Sequence, residues 1–303
     1  MFWVRVIHGS ANFVSGGRYD LPKRTWQDGT WEAKYSYPSP MPEGRWSADG
    51  AVVIGDKFYL PGGWKFYVGA NKALPMDNVW SYSTNQWDSN AGPPLPHHLG
   101  GSGSGCGASG NINNHLYVTS PETGMNGYHE FLDMLDMSTP DKHNLKWESR
   151  ASPAAAHACG AFGVIDGKLY VAGGTTGGQT DAHITPVTEV YDPETDKWTP
   201  LAPMPIAVQN PGSAVGCGKL FVVGGIRVDG ENKYKVVPTV QVYEPPKSPE
   251  DHQGRWIEGT IPPLPSARQG LGAVVVDGDL YVLGGRDEHD KVLDLVQAIG
   301  VCK

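Results

Sequence analysis

The chain has 303 residues, with 24 Lys and Arg set against 32 Asp and Glu for a net charge of −8. That balance, with no basic run, excludes a phosphate-backbone partner such as nucleic acid, and no apolar stretch approaches the ~20 residues of a membrane helix. Forty Gly and 25 Pro make about a fifth of the residues, which is the composition of many short strands joined by tight turns.

Taken in chain order, the sequence repeats itself. Phe2 to Gly17 (FWVRVIHGSANFVSGG) reads as two apolar strands ending on a double glycine, and Trp31 with Pro40-Met41-Pro42 closes that unit. In the second unit Phe58 to Gly63 reads FYLPGG, a strand then ends at Trp87, and Pro94-Leu95-Pro96 follows. The third has Leu116-Tyr117-Val118 and Trp147, but Thr119-Ser120 stands where its neighbours carry glycines. In the fourth, GAFGVIDGK leads into Leu169 to Gly174 (LYVAGG), then EVYDPETDKW ends at Trp198 before Pro203-Met204-Pro205. The fifth repeats this with LFVVGG (Leu220 to Gly225), Trp256 and Pro263-Leu264-Pro265. The sixth has GAVVVDGD, LYVLGG (Leu280 to Gly285) and a strand over 291–301, with no Trp strand after it. The Asp-Gly pairs at 166–167 and 277–278 supply the positive φ angles of two-residue hairpins.

Successive Trp87, Trp147, Trp198 and Trp256 lie 60, 51 and 58 residues apart, the span of one four-stranded propeller blade. With its double glycine, Tyr and Trp, the repeat resembles the kelch family. The expected fold is therefore all-β: a single domain forming a six-bladed β-propeller of kelch repeats, with four-stranded antiparallel blades at about 1–43, 44–97, 98–154, 155–206, 207–266 and 267–303. Six glycine-type strand pairs stand against five Trp strands, so the closing blade is irregular. Either it has three strands, or the N-terminal segment around Trp3 supplies its outer strand and blade one is shrunken.

Most isolated motifs carry little. Gly100 to Gly110 contains a permissive dinucleotide pattern, but the repeat places it entering an inner strand and not a helix N-terminus. His97-His98 reads as an exposed loop between blades. Kelch-type enzymes with iron or copper sites have ligand signatures absent here, so no metal or other cofactor is expected. Cys106 and Cys159 occupy equivalent positions in neighbouring blades and read as small packing residues, while Cys217 falls in a hairpin turn and Cys302 at the terminus. No CxxC pair and no Asn-x-Ser/Thr sequon occurs. Together with the lack of a signal-peptide pattern at MFWVRVIHGS, this leads us to expect a cytoplasmic monomer.

Aligning the blades on the Leu of the second strand predicts a ring of residues around one mouth. The position twelve before that Leu gives Trp46, Ser104, His157, Val208 and Arg268; the position after the double glycine gives Arg18, Trp64, Glu122, Thr175, Ile226 and Arg286, with Tyr19, Arg227 and Asp287 next to them. The resemblance implies that ligand-contacting residues come from these loops. Four of the nine arginines (Arg18, Arg227, Arg268, Arg286) fall on this ring, a composition suited to a carboxylate because the guanidinium fork meets both of its oxygens. Tyr19, Trp46 and Trp64 would supply flat walls and Ser104 a hydroxyl. The first reading is a module binding an acidic protein segment or a small carboxylated ligand. The alternative is a free-standing kelch-type isomerase, epimerase or lyase acting on such a molecule, with His157 as acid or base beside Glu122 or Asp287. In a third arrangement the arginines simply pair with Glu122, Asp287 and Glu288.

Overall fold

A computed structural model describes residues 4–8, 11–15, 27–29, 50–55, 57–61, 64–67, 70–73, 78–81, 86–88, 92–93, 95–97, 106–124, 127–138, 144–177, 181–230, 233–248 and 250–302. Among them the alternating apolar runs form only strands. The N-terminal strands are β1 (Val4–His8), β2 (Ala11–Ser15) and β3 (Gln27–Gly29). One four-stranded sheet joins β4 (Val52–Ile54), β5 (Lys57–Leu60), β8 (Asn78–Ser81) and β9 (Gln86–Asp88), with the small hairpin β6 (Trp64–Tyr67) and β7 (Ala70–Ala73) between its second and third strands. The next contains β10 (Ser109–Ile112), β11 (His115–Gly124), β12 (Gly127–Asp136) and β13 (Trp147–Arg150).

The fourth blade is β14 (Ala161–Ile165), β15 (Lys168–Ala172), β18 (Thr188–Asp192) and β19 (Lys197–Pro200), carrying the hairpin β16 (Thr175–Thr176) and β17 (His183–Ile184). The fifth is β20 (Gly212–Gly216), β21 (Lys219–Val223), β24 (Val240–Glu244) and β25 (Arg255–Ile257), with the hairpin β22 (Ile226–Val228) and β23 (Tyr234–Val236). The last is β26 (Gly272–Val276), β27 (Asp279–Leu283) and β28 (Val296–Gly300), completed by β3. The innermost strands neighbour one another in the order β4, β10, β14, β20, β26, β1, which is the ring of a six-bladed propeller.

The N-terminal segment thus supplies the outer strand of the last blade, through Gln27–Gly29 pairing with Val296–Ala298. The segment around Trp3, the expected donor, is not the one that pairs, and Trp3 itself lies outside the described residues. Among the described residues blade one is represented by the hairpin β1–β2.

The repeated residues have definite mechanical roles. Apolar clusters lie between neighbouring blades: one joins Tyr170 and Ala172 of the fourth to Leu220, Val222 and Tyr243 of the fifth. The outer-strand tryptophans clamp each blade to the preceding loop, their indole N–H groups donating from Trp147 to the Pro93 carbonyl (3.0 Å), from Trp198 to Ala151 (2.7 Å) and from Trp256 to Ala202 (2.8 Å). Third-strand tyrosines pack on these rings, Tyr191 on Trp198 and Tyr243 on Trp256, both with centroids 5.3 Å apart.

The double glycine has a steric cause. Gly173 and Gly174 both have positive φ (70° and 85°), and a Cβ on Gly173 would sit 2.6 Å from the Val208 carbonyl oxygen of the next blade. The bend lets the Gly174 N–H donate to that same oxygen at 2.8 Å, and Gly225 repeats the contact with the Arg268 carbonyl at 2.9 Å. Register places Ser120-Pro121, one residue on from the expected Thr119-Ser120, at the double-glycine positions, since Val118 stands opposite Asp133 as Val171 does opposite Glu189. Neither takes a positive φ, and β11 runs straight on to Gly124 and pairs with β12 over its full ten residues.

The cysteines depart from their expected role. Cys106 and Cys159 form a disulfide joining the third and fourth blades (Cα–Cα 4.5 Å), and Cys217 and Cys302 another joining the fifth blade's first hairpin to the chain end beyond β28 (5.9 Å). Sequence distance concealed both pairings, since each is made by neighbouring blades and not by neighbouring residues. Their pairing removes the cysteines as a ground for placing the protein in a reducing compartment. Among the described residues no helix is long and apolar enough to cross a membrane.

Candidate functional site

The two ring positions meet as backbone neighbours in three successive blades. The residue after each double glycine bridges the one following the earlier ring position, in the pairs Ala158–Thr175, Gln209–Ile226 and Gln269–Arg286. Their side chains take different directions. The earlier set turns inward: His157 is 3 % exposed, and Val208 and Arg268 are fully buried. The later set remains half-exposed on the rim.

Arg268 is held from several sides. One terminal nitrogen donates to Gln297 Oε1 (2.6 Å) and Ser266 Oγ (2.7 Å), the other to the Gly284 carbonyl (3.3 Å). Arg286 pairs with Asp290 at 2.8 Å. Asp287 folds back to accept the N–H groups of His289 and Lys291 at 2.9 and 3.0 Å, and the Lys291 hydrogen bond in particular holds its carboxyl below the ordinary range. Arg227 stands on β22 directly opposite Lys235, with its Nε buried and without an acceptor. Trp64 sits on β6 opposite Ala73 and Glu122 on β11 opposite His129, but their side chains are outside what is described. Arg18, Tyr19, Trp46 and Ser104 lie outside the described residues altogether.

His157 forms the centre of a buried cluster. Its Nδ1 donates to the Gly173 carbonyl at 2.9 Å and its Nε2 meets Glu189 Oε2 at 3.2 Å. Both ring nitrogens therefore face acceptors, which favours the doubly protonated imidazolium. Burial pushes the His157 pKa down, but the Glu189 hydrogen bond, the Glu130 charge and the Gly173 carbonyl outweigh it and raise the group above its ordinary value. For Glu189 burial pushes upward, while His157 and the N–H groups of Ala154 and Ala155 hold it below its usual range. Glu130 accepts the backbone N–H of His157 from the neighbouring blade; burial raises its pKa, and its Oε1 has no partner.

Sequence reasoning missed Glu130, Glu189 and Gln297, although a signal was present. Opposite the second-strand Val of the third to sixth blades stands a polar residue: Asp133, Glu189, Gln241 and Gln297. Each ties down the loop that enters its blade or its neighbour. Gln241 accepts from the Ile206 N–H and donates to the Ile206 carbonyl, both at 2.9 Å, and Asp133 takes His97 Nδ1 at 2.9 Å and Ser149 Oγ at 2.9 Å. His97, read as an exposed loop residue, is instead stacked on Phe131 with ring centroids 4.1 Å apart. Among the described residues no group of three or more His, Cys, Asp or Glu is placed to hold a metal.

Comparison with known proteins agrees with this architecture. The kelch motif matches residues 156–205 and 267–298. Human kelch repeat and BTB domain-containing protein 12 is 32 % identical over 203 residues, 61 % of this chain and 31 % of that protein. Zebrafish kelch-like protein 15 is 31 % identical over 140 residues (45 % and 22 %), and beta-scruin of Limulus polyphemus 26 % identical over 140 residues (46 % and 14 %). The chain thus spans less than a third of the length of these curated relatives. Among solved structures, that of YjhT superposes with a TM-score of 0.67 at 17 % identity, covering 90 % of this chain and 85 % of that one.

Proposed function

We propose that this chain, a kelch-repeat β-propeller, is a protein-binding module whose recognition surface is the rim built by the hairpins after the double glycines, and that it takes an acidic segment there. Kelch domains typically bind proteins. The observation that carries the location is the distribution of exposed apolar side chains. Of five large hydrophobic residues exposed among the described residues, four lie after the double glycines of the fifth and sixth blades: Val228 (39 %), Tyr234 (70 %), Val292 (56 %) and Leu295 (37 %). Apolar groups gathered in equivalent loops of adjacent blades are the kind of surface a partner covers. Arg227 and Lys235 add positive charge to it, while Asp229 spends its carboxylate on the Lys233 backbone N–H.

The test is site-specific photo-crosslinking from positions 234 and 292, with position 194 as control. Glu194 is exposed in the turn between β18 and β19, at the other end of the fourth blade. A partner captured from the first two positions and then purified should bind Tyr234→Ala and Val292→Ala at least tenfold more weakly than wild type, and Glu194→Ala equally well. Equal capture from position 194, or undiminished binding by both rim variants, refutes the reading.

A further inference from the structure

Hairpin β22–β23 presents three features at once: an open strand edge, a pair of facing cations and an apolar pair on the opposite side. The flanking backbone bonds fix which groups point where. Asp229 N–H donates to the Lys233 carbonyl and Val237 N–H to the Gly225 carbonyl, so Arg227 and Lys235 form the hydrogen-bonded pair between them. Residues 226, 228, 234 and 236 consequently turn their N–H and C=O groups outward. On the β22 side Ile226 spends both of its groups on Gln209. On the β23 side, Tyr234 and Val236 have no such partner among the described residues, and β23 is paired on one side only.

Side chains alternate across the hairpin. Arg227 and Lys235 share one face as directly opposed like charges, an unfavourable arrangement on its own. Neither side chain has an ion pair or hydrogen bond among the described residues, and the Arg227 Nε is buried without an acceptor. The other face carries Val228 and Tyr234, again in register, with Ile226 and Val236 beside them.

We infer that this edge receives an extended partner segment as a third strand, with acidic and apolar residues alternating along it. A carboxylate on one side of the added strand meets Arg227 and Lys235 and relieves their repulsion. The next side chain falls on the opposite face against Tyr234, while the segment's backbone pairs with the outward groups of Tyr234 and Val236. This rests on the rim reading above and assigns that rim a partner chemistry and a mode of binding.

The probe is a capped hexapeptide of alternating glutamate and valine, with glutamine–valine and lysine–valine versions as controls, titrated against the whole chain by calorimetry and by amide NMR. The glutamate peptide should bind at least tenfold more tightly than the glutamine one, with the lysine one undetectable. Arg227→Ala with Lys235→Ala should remove the preference for glutamate. Tyr234→Pro deletes an outward N–H without touching the ladder to β22, so it should bind at least fivefold more weakly than Tyr234→Ala, which keeps that N–H. The amides of Tyr234 and Val236 should gain exchange protection on binding. Equal affinity for glutamate and glutamine peptides, no binding of either, or equal affinity of the Pro and Ala variants overturns the inference. The rim reading falls separately: a crosslinked partner that binds the Arg227→Ala, Lys235→Ala protein and Tyr234→Pro normally, yet is lost with Val292→Ala, leaves the rim standing and removes only the strand addition.

Discussion

Replacing His157 by leucine leaves the Glu189 carboxylate, 2 % exposed, facing an apolar side chain with only the Ala154 and Ala155 N–H groups for company. It also leaves the Gly173 carbonyl without the donor that now lies 2.9 Å away. Stranding one member of a buried ion pair costs ~3–5 kcal/mol. For a chain of this length the entropy of unfolding is ~0.6 kcal/mol/K, so the expected fall in Tm at neutral pH is ~5–8 °C. The pH dependence identifies the cause. His157 is raised above its unfolded value of 6.5, so its contribution is complete below that value and is lost as pH rises through the higher folded pKa. Glu189 is lowered from 4.5, so its contribution is complete above 4.5 and is lost as pH falls through the depressed folded pKa. The stability gap between wild type and variant should therefore be widest between pH 4.5 and 6.5 and narrow on both sides. Urea denaturation followed by tryptophan fluorescence at pH 3.5, 5.5, 7 and 9 measures it. A gap that is independent of pH, or below ~1 kcal/mol at pH 5.5, refutes the buried imidazolium.

Glu130→Gln keeps an acceptor for the His157 N–H and removes a buried charge whose pKa is already raised, so the variant should gain on wild type as pH rises from 4 to 8 in the same denaturation series. Non-reducing peptide mapping should recover Cys106 linked to Cys159 and Cys217 linked to Cys302, and replacing Cys217 and Cys302 by serine should cost ~2–5 kcal/mol of stability to thermal unfolding. Gly173→Ala forces a side chain into positive φ and against the Val208 carbonyl, for a loss of ~1–3 kcal/mol, whereas Gly218→Ala, with open space at the same kind of φ, should lose less. Trp198→Phe keeps the ring but loses the Ala151 hydrogen bond, worth ~1 kcal/mol, and calorimetric Tm reads the difference.

The blades were legible because each repeated residue solves a local problem: glycines for the bend, Asp-Gly for hairpins, Trp for the clamp. The long β11–β12 hairpin was half legible. Thr119-Ser120 stood out as a departure, and a strand that cannot bend has to continue. The burial of Arg268 was hidden because its partners Ser266, Gly284 and Gln297 come from the loop before β26, the bend after β27 and β28 itself, and only Ser266 is close in sequence. An arginine in a loop position reads as exposed unless its acceptors can be counted. The disulfides and the His157 cluster escaped for a related reason, since both cross from one blade to the next and leave no mark at the residues themselves.

The junction between the third and fourth blades ties several of these departures together. Where a double glycine is present, its second N–H reaches the next blade's loop carbonyl, as Gly174 does at Val208 and Gly225 at Arg268. The third blade lacks that donor because Pro121, which has no N–H, stands at the position of Gly174. In its place Glu130, on the strand paired with the β11 extension, reaches across to the His157 N–H beside the disulfide, while the Cys159 N–H keeps the bond to the Cys106 carbonyl (2.7 Å) that the later junctions also make, from Asn210 to Cys159 and from Gly270 to Asn210. A carboxylate replacing a backbone amide reverses the polarity of the contact: the loop now donates where elsewhere it accepts. A second negative charge so near Glu189 favours a cation between them, and His157, whose ring nitrogens already face two acceptors, is the group placed to carry it. The missing glycines, the long hairpin and the charged histidine are thus linked steps of one local solution, in which a polar joint replaces the glycine joint used by the following blades.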